Sequence, residues 1–465
     1  MTKLRGFVDR IDKMLIMGWA IDEDDPAARP EIQIIQGHEP AITLVPRFPF
    51  PSLRAALDLA PSVAPPLYAW RLWLPLSNGI RPDLPFSIVL RATGVALVHG
   101  AGCRIPLFER IDPAAQRNLE TAVLITEACA VGANDIHVAL NVADPRGPAA
   151  RPVTAGTAPL APQGRIGPLL FGRSADRYET VITRKALAAA PDGKLRIGVA
   201  LDDPELTPRA QLDARVHSVY LPRTALDRNR LSAPLPEDAN IHRVSGPASN
   251  QHHYLIGGAT TFCQLDAITR HYAGKPIRAI GTVVDWGVGC GRVMRQFWED
   301  APAQAPMPRL IGLDIDPVNV DWCRAHLAKF ASFDLLALDG FALPTGSVDL
   351  LYGISVMTHL SEHHQHLWLA EIRRILRPGG IAILTVHGEG VNYSQIESIL
   401  LPFVEKFGFF DGTADTAIGE ERSEYYRATY HARGYIRDNW SRYFTILDIF
   451  VMANAFTQDF VVLRK

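Results

Sequence analysis

Downstream of residue 280 the chain switches repeatedly between two hydrophobic periods. Val283-Val284, Leu310–Leu313, Leu335–Leu338, Leu350–Ser355 and Ile381–Val386 are short, nearly continuous apolar runs, the pattern of strands buried on both faces. Between them apolar residues recur at three- and four-residue spacing. Val320, Cys323 and Leu327 form one such stripe; Leu369, Ile372, Ile375 and Leu376 form another, and both predict helices. Two further β-rich runs, Tyr443–Ile449 and Gln458–Leu463, close the sequence as an antiparallel-type pair. Upstream, an apolar helix is expected from about Thr260 to His271.

Residues 1 to about 228 follow another rhythm. Short β-type runs recur at Met14–Ala20, Glu31–Gln36, Ala69–Leu74, Phe86–Ala92, Asp135–Val142, Tyr178–Thr183, Lys194–Leu201 and Ala214–Leu221. Pro, Gly, Asp and Asn separate them, and Asn78-Gly79 and Pro191-Asp192-Gly193 are turn signals. Many short strands at modest spacing predict antiparallel sandwich modules, one over 1–108 and a second over 109–228, without an internal repeat. A Pro- and Asp-containing stretch with few aromatics predicts a linker at 229–244, followed by one domain over 245–465.

Composition narrows the class. The chain has 465 residues, 48% of them hydrophobic, enough for large cores. The net charge of −2, without a long basic run, gives no support for nucleic-acid binding. The five cysteines show neither CxxC nor Cys/His zinc spacing; scattered thiols fit a reducing cytoplasm, and no metal site is expected. The first ten residues carry charges where a signal peptide needs an apolar run. No stretch approaches the roughly 20 apolar residues of a transmembrane helix. Nothing in the pattern specifies an oligomeric state.

The candidate chemistry begins at residues 283–293. A strand ends at Val284, Asp285 follows, and Gly287, Gly289 and Gly291 occupy alternate positions before an expected helix. Glycine at every second position lets the backbone approach a ligand, and a helix start offers free N–H groups there. A dinucleotide fingerprint needs its third glycine three places after the second. Here the interval is two and residue 292 is arginine, which disfavours NAD and FAD. The form Asp-x-Gly-x-Gly-x-Gly resembles motif I of the class I S-adenosylmethionine (SAM)-dependent methyltransferases. The second strand ends in Asp314, an acid placed to accept ribose hydroxyls, whereas Asp316-Pro317 reads as an N-cap and first helical residue. The third ends near Asp339, ahead of Leu343-Pro344, and Leu376–Gly380 is a Leu-Arg-Pro-Gly-Gly helix stop. Glycine loop, acid, acid and helix stop, in that order, are similar to this family across 245–465.

The resemblance implies an α/β Rossmann-like domain with a seven-stranded, mostly parallel sheet and a ligand crevice at the strands' carboxyl ends. It implies SAM as cofactor, held by Asp285, Gly287, Gly289, Gly291, Asp314, Ile315, Asp339, Gly340, Phe341 and Ser355. Asp339 would receive the adenine amino group with Gly340 and Phe341 beside the ring, although Phe341 reads equally as core. The fourth strand leads into Ser355–Ser361, where the family places residues between the methyl group and the acceptor. His359 is the first candidate for a general base there, and His387, with Glu389 beside it in sequence, the second. His363, His364 and His366 read as a solvated helix end. His431 and the tyrosines of 425–430 are candidates to line an acceptor pocket or to pack beneath the last strands. Asn250–Thr260 is expected to close over the cofactor on a Gly257-Gly258 hinge, with His252, His253 and Tyr254 facing inward, or to be a plain connection.

The opening, Gly6–Arg10 with Gly18–Asp22, resembles β-sandwich modules attached to bacterial polysaccharide-modifying enzymes, where Trp19 would stack on a sugar or pack in the core. The combined expectation is methyl transfer to a hydroxyl of a sugar or surface polysaccharide. The alternatives are a small-molecule or lipid methyltransferase, and a glycan- or partner-binding protein with an inactive SAM fold.

Overall fold

The computed structural model describes residues 4–11, 15–25, 28–36, 39–46, 69–73, 86–97, 122–131, 135–143, 152–166, 175–190, 193–202, 204, 206–246, 249–299, 301, 304–388, 407–414, 427–454 and 458–465. The expected turns at Asn78-Gly79 and Pro191-Asp192 lie outside them. The chain packs as two compact units. One comprises 1–120, 127–150 and 160–183; the other comprises 121–126, 151–159 and 184–465.

In the first unit, Leu15–Asp22 pairs antiparallel with Leu4–Ile11 and Ala69–Trp73, and Ile32–Gln36 pairs antiparallel with Glu39–Leu44 and Ser87–Leu90. Alternate residues Ile32, Ile34, Ile88 and Leu90 turn inward and share a core with Ala20 and Phe86. The period-2 pattern thus does what a half-buried strand requires. A four-stranded sheet contains Pro162–Ile166, Ala175–Thr183, Asp135–Ala143 and Ala122–Val131 in that spatial order.

The second unit holds a seven-stranded sheet. Its strands, in chain order, are β1 (Thr282–Trp286), β2 (Arg309–Asp314), β3 (Ser332–Leu335), β4 (Val348–Gly353), β5 (Leu376–Val386), β8 (Thr445–Asn454) and β9 (Gln458–Arg464), while β6 (Phe409–Ala414) and β7 (Arg427–His431) form a separate pair. The spatial order is β3-β2-β1-β4-β5-β9-β8: five parallel strands, then β9 antiparallel to β5, then β8 antiparallel to β9. This is the expected Rossmann-like methyltransferase sheet, preceded by β-rich antiparallel sheets. The helices that flank it or approach its edges are α1 (Pro208–Val216), α2 (Asp238–Ser245), α3 (Gln251–Ala273), α4 (Pro317–Leu327), α5 (Glu362–Ile375) and α6 (Arg433–Trp440). Two apolar clusters sandwich the sheet, one around Val283, Phe262 and Phe460, the other around Trp286, Ile372 and Val461.

Three local expectations are corrected. Ala214–Leu221 is not one strand: Thr207 caps α1, Pro208 opens it, and only Val219–Pro222 is extended. The glycine loop leads not into an α-helix but into a single 3₁₀ turn, Met294–Phe297. That turn is pinned by a fully buried Arg295–Glu299 pair (2.9 Å), with Arg295 also donating to the Ala233 carbonyl and Glu299 accepting from the Ser232 N–H. Gly257 and Gly258 are not a hinge. They lie inside α3, which Asn250 caps by accepting from the His252 and His253 N–H groups. A Cβ on Gly258 would collide with the Arg292 backbone carbonyl, so that glycine permits a close crossing of helix and loop.

Two boundaries bear on the organisation. α1 and Val219–Pro222 pack on α3, with Leu212 and Val216 in the same core as Phe262 and Ile268. The stretch read as a linker carries α2 and the backbone groups that hold Arg295 and Glu299.

Candidate functional site

A cleft opens at the carboxyl ends of β1, β2 and β4. Its floor is the glycine loop. Gly287, Gly289 and Gly291 have φ of 78°, 52° and 79°. A Cβ on Gly287 would lie 2.5 Å from Val356, and one on Gly289 would lie 2.8 Å from Val244. Both the left-handed conformation and the close approach therefore require glycine. Asp285, Gly287 and Gly289 line the cleft, together with Asp314, Ile315, Ser355 and His359. Gly291, Asp339, Gly340, Phe341 and His387 are not among its lining residues.

Asp285 is buried at the end of β1, where the Tyr352 hydroxyl donates to it over 2.8 Å. Burial pushes its pKa up to about 7, with Asp314 adding to the rise and Arg292 opposing it. Asp314 accepts from the Gly289 N–H (2.6 Å) and the Asp316 N–H (2.9 Å), which ties the glycine loop to the end of β2. Burial raises its pKa as well. Asp316 caps α4, as expected, and also receives a two-pronged contact from Arg243 of α2 at 2.7 and 2.8 Å. Arg243 and Val244 thereby stand at the cleft rim. Arg292 also faces the cleft. Burial lowers its pKa, and no hydrogen bond or ion pair engages its guanidinium among the described residues. A cation in such a position carries an uncompensated desolvation penalty.

The remaining candidates divide. Asp339 is exposed. Phe341 is core, edge-on to Trp286 (6.0 Å) and Trp368 (4.8 Å), and the adenine expectation at 339–341 is replaced in the lining by Leu336. Ser355, two residues past the end of β4, has φ of 60°. His359 ends the short 3₁₀ turn Met357–His359, its Nδ1 3.1 Å from the Arg427 carbonyl. His387 sits behind it, Nδ1 3.1 Å from the Thr429 carbonyl and its ring 5.2 Å from Tyr430. Burial, then the neighbouring His359, lowers the His387 pKa to about 4. His431 is a core residue, hydrogen-bonded to Gln365 at 2.8 Å. Glu389, Tyr425 and Tyr426 lie outside the described residues. Tyr254 is buried and donates to the Cys290 carbonyl from beneath the loop, and His252 contacts Arg228. His364 bonds Ser361 and His366 bonds Tyr443. Among the described residues, no three His, Cys, Asp or Glu are grouped to hold a metal ion, and no helix is long and apolar enough to cross a membrane.

Residues 283–380, from β1 through the helix stop, match the family model described as a methyltransferase domain. That stretch carries a methyltransferase domain. Solved structures similar to the chain include an S-adenosylmethionine-dependent methyltransferase from Mesorhizobium loti, 16% identical, covering 40% of this chain and 92% of that one at a TM-score of 0.30. Another, from Methanosarcina mazei, is 15% identical and covers 43% and 96% at a TM-score of 0.31. No curated protein matches the chain.

Sequence reasoning gave no cofactor or acceptor role to three polar residues of the cleft: Arg243, Arg292 and Asn319. Arg292 had a signal, since it directly follows the last glycine of the motif. Arg243 had none, because α2 reaches the cleft only through tertiary packing, whereas Asn319 lies in the first turn of α4 just behind the Asp316 cap.

Proposed function

We propose that the methyltransferase transfers the methyl group of SAM to a hydroxyl of a sugar or surface polysaccharide. The observation that carries the reading is the His359 imidazole in the cleft wall, its Nδ1 against the Arg427 carbonyl. A carbonyl partner fixes Nδ1 as the N–H donor, which leaves the lone pair of the neutral ring on Nε2. A hydroxyl is a weak acid and gains from a base held in this form. His387 repeats the geometry one layer back and is held neutral by burial, with Tyr430 beside it as a flat apolar surface for a sugar ring.

Bound SAM supplies a methyl group already activated on a sulfonium. In this reading the chain's own residues bind and orient. Asp314, tethered by two backbone N–H groups, takes the ribose hydroxyls. Arg292 takes the carboxylate of the methionine portion, and Asp285 its ammonium; an unpaired cation beside a carboxylate suits a zwitterion. Ser355 and Val356 shape the wall between cofactor and acceptor, while Arg243, latched to Asp316, holds α2 across the rim. Positioning and exclusion of water supply much of the catalysis. Support for the sugar comes from the opening segment, Gly6–Arg10 with Gly18–Asp22, which resembles β-sandwich modules of polysaccharide-modifying enzymes.

The test is incubation of the full chain with methyl-labelled SAM and separated glycan, lipid and small-metabolite fractions. Label in glycan is the expected result, and His359→Ala should lower it about 10²- to 10⁴-fold. Label confined to lipid or small metabolites would remove the sugar assignment. No label, with S-adenosylhomocysteine (SAH) binding intact, would favour a binding protein with an inactive SAM fold.

A further inference from the structure

Among the described residues Ser355 is the one non-glycine with positive φ, and it lines the cleft. An L-residue adopts that conformation only where its surroundings over-determine it. Each of its polar groups is engaged. Its N–H donates to Thr385 Oγ1 on β5 (2.7 Å), and its carbonyl accepts from Thr358 Oγ1 (3.0 Å). Its hydroxyl meets the Gln458 amide, accepting from Nε2 at 2.7 Å and reaching Oε1 at 3.1 Å. Gln458, the first residue of β9, is only 7% exposed. Its Oε1 also accepts from Asn454 Nδ2 (3.1 Å), and Asn454 Oδ1 accepts from Thr261 of α3 (3.2 Å). A buried polar chain therefore runs from α3, across the β8–β9 hairpin, to the cleft wall.

We infer that Gln458 is a positioning residue: from the C-terminal hairpin it clamps Ser355 in its left-handed conformation and so sets the 355–359 wall, with Val356 over Gly287 and His359 at the cleft. The inference rests on the SAM-cleft reading above. Nothing in the motif region supplies this clamp, since Gln458 lies 103 residues from Ser355. Thr385 holds only the backbone N–H, and Thr358 belongs to the wall itself. Gln458 is the contact that fixes the side chain, and through it the rotation of the peptide unit leading into the 3₁₀ turn.

The experiment uses the full chain with two readouts: amide hydrogen exchange over 354–361, and SAH affinity by calorimetry. Gln458→Met removes the amide at similar length. Exchange in that segment should rise selectively against the β1, β2 and β4 amides, and SAH should bind about tenfold more weakly, the scale of a lost buried hydrogen bond. Gln458→Glu keeps acceptors for Ser355 and Asn454 but loses the Nε2 donor and buries a carboxylate, so it should fall between wild type and Gln458→Met. Glycine takes positive φ without help, so in a Ser355→Gly background Gln458→Met should weaken SAH binding less than about twofold. Equal penalties in both backgrounds would overturn the inference, as would a lowered Tm with exchange and affinity unchanged. A wild-type chain that binds no SAH would sink the cofactor reading instead, and the exchange data would still decide the clamp.

Discussion

Arg292 concentrates the residue-scale argument. Arg292 lines the cleft, its guanidinium has no hydrogen-bonding partner among the described residues, and the nearby Asp285 is already engaged by Tyr352. If it receives the cofactor's carboxylate, Arg292→Met should weaken SAH binding by about 10- to 100-fold, the loss of a charge-assisted hydrogen bond. Binding of 5′-methylthioadenosine, which has no carboxylate, should not change; calorimetry with the two ligands separates this role from a general loss of folding. Asp314→Ala should abolish SAM binding, and a normal affinity in that variant would remove the ribose assignment. The acid and the glycines were legible in the sequence because their spacing is dictated by one strand–turn unit, where φ and close approach permit little else. Asp339 was not: the chain after β3 turns at Ala337–Gly340 so that Asp339 faces solvent and Leu336 faces the cleft.

Among the elements, α3 shows how a local signal can carry the wrong message. Two adjacent glycines outside obvious periodicity suggest a hinge, yet here they relieve a crossing between helix and glycine loop. The two should respond differently to alanine. Gly258→Ala should cost about 1–3 kcal/mol or more in urea unfolding, because its Cβ meets backbone that cannot step aside. Gly257→Ala meets only the end of the Arg292 side chain, at 3.2 Å, and gains up to about 1 kcal/mol in helix propensity. It should be neutral or stabilising. The parallel strands were readable because burial on both faces leaves continuous apolar runs. The turn after the glycine loop was not, because its shape is set by the Arg295–Glu299 pair and the residues 232–233 that meet it, a contact between segments more than 60 residues apart. Likewise Ala214–Leu221 looks like one β-run until Thr207-Pro208 is read as a helix start.

For the molecule as a whole, the packing of α1 and Val219–Pro222 against α3 predicts where the chain tolerates division. A fragment beginning at 229 loses Leu212 and Val216 from the sheet's core and should aggregate or melt early, whereas one beginning at 184 keeps both and should unfold cooperatively in calorimetry. Acid should also reveal the buried histidines. His431 is fully buried, and burial lowers its pKa to about 3, against 6.5 when unfolded. Between those values the unfolded chain holds the extra proton, so His431 withdraws stability as pH falls below 6.5, by about 1.4 kcal/mol per unit. Asp285, raised to about 7, contributes with the opposite sign, and a comparison of slopes isolates the histidine. Thermal unfolding of His431→Gln should fall less steeply with acid than wild type by one proton's worth; parallel slopes would mean that His431 is protonated in the folded state. Architecture at this scale was legible as strand–helix alternation, but the boundaries were not, since a linker and a packed segment of similar composition differ only in what they touch. The sheet order has a consequence for how the protein is made. β9, last in sequence, inserts between β5 and β8, and it carries the glutamine that fixes the cleft wall. A ribosome can therefore have released the whole glycine loop while the nascent chain still lacks a finished pocket, so ligand cannot rescue the growing polypeptide from proteases until the final hairpin has emerged.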